Sequence, residues 1–125
     1  MANNPVNLNN TYTVVAATTA VTFAVAQPNN PAPAGLIVCQ NTAGLTLTLP
    51  PINDVLPSPP STQQVVPGVG SAQQITIFNQ AGNAITIATN SADSSLPATL
   101  TIASSANAKI TIRSAAETST WYQIA

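Results

Sequence analysis

Histidine is absent from this chain, cysteine occurs once, and only two basic and three acidic side chains are spread over 125 residues. Each shortage closes off a class of function. Without histidine there is no imidazole relay for acid–base work and no imidazole metal site. The lone Cys39, in "GLIVCQN", has no partner for an internal disulfide and no histidine to make it a nucleophile. It reads as a buried, inert thiol in a strand. The carboxylates Asp54, Asp93 and Glu117 sit in three separate stretches, without the spacing of a glycosidase pair or a calcium loop. Gly68 and Gly70 in "PGVGSA" precede no lysine, so they form no phosphate loop. Lys109 and Arg113 would neutralise about two phosphates, too few for nucleic-acid affinity. The expectation is a protein that is not an enzyme, holds no metal or cofactor, and has no nucleic-acid partner.

The shortage of charge bears on the surface as a whole. Charged residues make up 4% of the chain, against about a quarter in ordinary domains. Solubility then rests on Thr, Ser, Asn and Gln, and a net charge of −1 gives little colloidal repulsion. Such a surface associates readily. A membrane is the other common reason for low charge, but no apolar stretch approaches the roughly 18 residues of a spanning helix. The nearest, "TVVAATTAVTFAVAQ", is interrupted by Thr13, Thr18, Thr19 and Thr22. "MANNPVNLNNTYT" has neither a basic n-region nor an apolar h-region, so synthesis inside a cell without a secretory signal is expected.

What the chain does have is strand signal. Apolar residues alternate with Thr or Ser in "GLTLTLP" (44–50), "QITIFN" (74–79), "AITIAT" (84–89), "ATLTIAS" (98–104) and "KITIRS" (109–114). "TYTVVAATTAVTFAVA" (11–26) supplies one or two more strands, and "GLIVCQ" (35–40) and "STWYQIA" (119–125) one each. No segment carries a helical period. In "IFNQAGNAI" the turn residues Asn79, Gln80, Gly82 and Asn83 join two alternating runs, and Ser104, Ser105 and Asn107 do so in "IASSANAKI". Both are predicted to be antiparallel hairpins. Isoleucine and leucine face a core, while Thr76, Thr86, Thr101 and Thr111 face outward. The fold class expected is all-β: an antiparallel β-sandwich or jelly-roll-like domain of about eight short strands with long Pro-rich loops. Residues 1–10 form an N-terminal arm and 11–125 the single domain.

Soluble sheets usually blunt their edges with charge, which this chain cannot do, so a neighbouring subunit is expected as the cover. Segment 50–72, "PPINDVLPSPPSTQQVVPGVGSA", carries six of the eleven prolines and exceeds the usual length of a structureless loop. It lies either across its own domain or against a neighbour. Its Pro57, Pro59, Pro60, Val65 and Val66 are candidate interface residues. Trp121 and Tyr122 join them, as aromatics that anchor a core or an interface, or else a sugar platform. The Thr-x-Thr of "LTLTLP" raises an ice-binding face, set aside because the threonine runs are short and joined by irregular loops.

The order "LTLTLPP", then "ITIFNQAG", a further "ITI" strand and a closing "STWYQI" resembles a pattern in virion proteins of tailed bacteriophages. The chain is similar, over roughly residues 44–125, to their capsid decoration (cement) proteins. The resemblance implies a trimer on the outer surface of a capsid, made in the host cytoplasm and bound to the major capsid protein where capsomers meet, without catalysis. The alternative is a tail-fibre or carbohydrate-binding β module using Trp121 and Tyr122. The chain lacks the heptads of a fibre shaft and the enzymatic residues of a tailspike.

Overall fold

A computed structural model describes residues 10–25, 29–56 and 65–125. Ten strands run in chain order: β1 (Thr11–Val14), β2 (Ala20–Thr22), β3 (Leu36–Cys39), β4 (Leu45–Thr48), β5 (Gln74–Asn79), β6 (Ile85–Ala88), β7 (Ser94–Leu96), β8 (Leu100–Ile102), β9 (Ala108–Ala115) and β10 (Thr120–Gln123). They form a six-stranded sheet, ordered β1-β3-β5-β9-β10-β7, and a four-stranded sheet, ordered β2-β4-β6-β8. Among the described residues there is no helix.

The chain alternates between the sheets over its first six strands. β1, β3 and β5 pair in parallel in one sheet, and β2, β4 and β6 pair in parallel in the other. This is three turns of a flattened parallel coil. β8 then runs antiparallel to β6, β9 antiparallel to β5, and β10 antiparallel to β9, with β7 parallel to β10 on the far edge. The expected all-β class stands, but the all-antiparallel arrangement does not, because five of the eight strand pairings are parallel.

Neither predicted hairpin forms. β5 and β6 lie in different sheets, as do β8 and β9. The link 80–84 carries the chain across the core and 103–107 carries it back. Alternation records which side chains face inward, and it is satisfied equally by two strands side by side and by two strands facing each other across a core. The turn residues do reverse the chain, but between strands of opposite sheets and not within a hairpin. Gly82 adopts φ +84°, and a Cβ there would sit 2.9 Å from the backbone nitrogen of Ala106, so the two crossing links touch where only glycine fits.

Register stacks the inward side chains into columns. In the larger sheet Ile37, Ile77 and Ile110 align, as do Ile75 and Ile112; in the smaller, Val21, Leu47, Ile87 and Leu100 align, with Leu45, Ile85 and Ile102 beside them. Both sets belong to one core cluster, together with Phe23, Leu49, Ile52 and Trp121. Burying each such side chain contributes about 1.5–3 kcal/mol before entropy is counted. Tyr12 meets the ring of Phe23 edge-on at 5.3 Å between centroids. Cys39 is fully buried, and its burial pushes the thiol from 9.0 up to about 11, as expected of an inert cysteine.

Among its described residues, 50–56 and 65–72, segment 50–72 contributes no strand. Val55 and Val66 exchange two backbone hydrogen bonds, the Val69 amide donates to the Pro51 carbonyl and the Gly70 amide to that of Ile52. Ile52 and Val69 are buried in the chain's own core, so the two ends of the segment lie on their own domain. The expected arm 1–10 lies outside the described residues except for Asn10.

Candidate functional site

The outward face of the six-stranded sheet is where the side chains with something to contact are gathered. Strand register sets them in three rows across the strands. The first runs Thr13, Val38, Phe78, Lys109; the second Thr11, Leu36, Thr76, Thr111; the third Gln74, Arg113, Tyr122, Leu96. Thr76 and Thr111 share a hydrogen bond of 3.0 Å. Ile124 lies beside the second row, its amide donating to the Thr111 carbonyl. Leu36, Leu96 and Ile124 are 36%, 53% and 51% exposed, while Val38, Phe78 and Tyr122 are half-buried. This face therefore carries six large apolar side chains, three exposed and three half-buried, set among Thr, Gln, Lys and Arg.

Both cations of the chain stand on this face. Lys109 is opposite Phe78, and Arg113 lies between Gln74 and Tyr122, both exposed. Their even spacing along β9 puts them on one side, as the alternation in "KITIRS" predicts.

The acidic side chains are collected elsewhere. Ile52 donates its amide to the Asp93 carboxylate at 3.0 Å. Asn53 donates to the Ala116 carbonyl and the Ser119 hydroxyl, both at 3.0 Å, and the Ser94 amide donates to the Ser119 carbonyl. Three distant stretches, 52–54, 93–94 and 116–119, are thus tied together, and each carries one acid: Asp54, Asp93 and Glu117. Asp54 and Glu117 are exposed, and Asp54 accepts the Gly68 amide at 2.9 Å. Half-burial pushes the Asp93 carboxyl above the usual carboxylate range, against the pull of the Ile52 amide. Among the described residues no three His, Cys, Asp or Glu side chains are placed to hold a metal ion.

The outer face of the four-stranded sheet is different. Its central row reads Ala20, Thr46, Thr86, Thr101, all exposed and none longer than threonine. A threonine ladder does therefore exist, three residues long. An open cleft of about 240 Å³ beside it is lined by Thr22, Phe23, Leu49, Val55, Val66 and Asn90, among other uncharged residues.

The predicted site residues fall in several places. Pro57, Pro59 and Pro60 lie outside the described residues. Val65 is 44% exposed and Val66 half-buried in its bridge to Val55. Trp121 has no exposed surface at all and belongs to the core cluster. It is corrected from interface anchor or sugar platform to core residue, because its position in β10 alternates inward beside Ser114. Tyr122 joins the outer face, its hydroxyl 3.3 Å from that of Thr118. Leu36, Val38, Phe78, Leu96 and Ile124 were missed as surface residues. The signal was a failure of alternation: "LIVC" and "TIF" are apolar at both parities, the mark of a strand covered on both sides.

No family model, curated protein or solved structure matches the chain.

Proposed function

We propose that this chain is a structural subunit without catalytic activity, built to be covered by neighbours in a symmetric assembly. More particularly, it decorates and stabilises the outer surface of a tailed-phage capsid, as a homo-oligomer, and as a trimer by the resemblance, bound to the major capsid protein. The observation that carries the reading is the broad outer face of the six-stranded sheet, with its large apolar side chains on a protein otherwise short of surface charge. Weak contacts repeated by symmetry reach high avidity without strong charge pairs. Two mixed sheets around one core, in a sandwich-like arrangement, present stiff faces for that purpose.

The reading is tested by sedimenting the protein with expanded, undecorated phage shells and recording shell melting. Saturable binding at fixed stoichiometry and a raised shell melting temperature are expected, with no retention on a glycan array. A chain that ignores shells and retains one glycan class selectively would replace this reading with the carbohydrate-binding one. That alternative has lost Trp121 as its platform, since the ring is sealed in the core.

A further inference from the structure

The separation of charge over the surface names a partner for the six-stranded face. We infer that this face receives the acidic end of a second copy of the chain, in a head-to-tail contact. The inference rests on the oligomeric reading above and specifies which surfaces meet.

Three observations lead there. First, the face offers itself no charge partner. Its rows carry Lys109 and Arg113 and no acid, so a two-fold contact of the face with itself gains no ion pair. Second, the complementary sign is present in one place on the same molecule. Asp54, Asp93 and Glu117 are drawn together by the bonds from Ile52, Asn53 and Ser94. Third, that end also presents apolar side chains. Leu56, two residues beyond Asp54, is 73% exposed, and Val65 is 44% exposed. An acidic end with apolar knobs matches an apolar face with two cations, in charge and in character. Different patches on the two partners make the contact heterologous, which closes into a ring when the rotation permits and otherwise runs on as an open chain.

The experiment is light scattering on a sizing column over a concentration series, using the full chain and two surface variants. One reverses the face, Lys109→Glu with Arg113→Glu, and the other weakens the end, Glu117→Lys, leaving Asp54 and Asp93 as its acids. All five charges are at solvent-accessible or half-buried positions, and the emission of the buried Trp121 checks that each variant stays folded. The wild type is expected to associate, and each variant to associate at least about tenfold more weakly, since reversing the face turns attraction into repulsion and Glu117→Lys sets a cation against Lys109 and Arg113. Mixing the two variants restores one wild-type pairing, the unaltered face of the second against the unaltered end of the first, so mixed pairs form where neither variant alone associates. A wild type that stays monomeric up to its solubility limit overturns the contact. A wild-type oligomer indifferent to both reversals also overturns it, yet leaves the structural reading standing. Shell binding is read separately: a wild type that associates as expected but binds no shell would sink the capsid reading and spare the contact.

Discussion

Asn79 is the residue whose removal tests the crossing topology most directly. It ends β5, has no exposed surface, and its side chain makes three hydrogen bonds. The amide nitrogen donates to the Asn83 carbonyl at 2.8 Å and to the Ala103 carbonyl at 3.0 Å, and the amide oxygen accepts the Gly82 amide at 2.9 Å. One side chain therefore pins link 80–84 to itself and to link 103–107. Asn79→Ala removes all three bonds and strands the Asn83 carbonyl and the Gly82 amide, while the Ala103 carbonyl keeps the Ser105 amide. At roughly 1 kcal/mol for each neutral bond, and more where the orphaned partner stays dry, the loss is about 3–4 kcal/mol. Ordinary domains have only about 5–15 kcal/mol of stability, so the effect is large. Urea unfolding followed by the emission of Trp121, the chain's single tryptophan, measures it, with the midpoint falling at constant slope. Gln40→Ala is the control, because its 2.9 Å bond to Gln80 is exposed and its loss should cost under about 0.5 kcal/mol. If Asn79→Ala unfolds within about 0.5 kcal/mol of the wild type, the side chain does not hold the two links together.

Other expectations follow from single positions. Gly82→Ala forces a methyl into a left-handed backbone 2.9 Å from the Ala106 nitrogen, and a loss of about 1–3 kcal/mol is expected in the same urea assay. The Cys39 thiol, raised to about 11 in the fold, stays protonated while the unfolded chain ionises near 9. The folded state thus holds more protons between these values, and stability is full below about pH 9 and falls towards pH 11 by roughly 2–3 kcal/mol. Cys39→Ala should flatten that part of the pH profile, and a thiol reagent should label Cys39 at neutral pH only after denaturant is added. Asp93 also has a raised carboxyl, so the fold prefers it protonated and gains as pH falls through its range. Asp93→Asn, which keeps an acceptor for the Ile52 amide, should leave stability at pH 7 unchanged or higher, whereas Asp93→Ala should lower it in thermal melts.

Inward and outward faces were legible in the sequence almost strand by strand. Ile75, Ile77, Ile85, Ile87, Ile110 and Ile112 are buried, and Thr86 and Thr101 are exposed, as period-2 alternation requires. β7 went unread because "SSL" carries no alternation and owes its strand to pairing with β10. Strand partnership was beyond reach for a different reason. A parallel ladder joins residues far apart, such as Leu47 and Ile87, and nothing local distinguishes that from a hairpin. The sum of charges was legible too, but not their segregation. It depends on Asn53, Asp93 and Ser119 meeting across long stretches of chain.

The first strand and the last have a mechanical consequence. β1 runs parallel to β5, β9 runs antiparallel to β5, and β10 antiparallel to β9, so β1 and β10 point the same way in one sheet. Tension applied at Thr11 and at Gln123 therefore pulls from opposite ends of that sheet, along the strands. The hydrogen bonds between neighbouring strands are loaded in shear, sharing the force, instead of being peeled apart one pair at a time. A subunit held between points that move apart would yield late and abruptly, stiff until the ladder gives way.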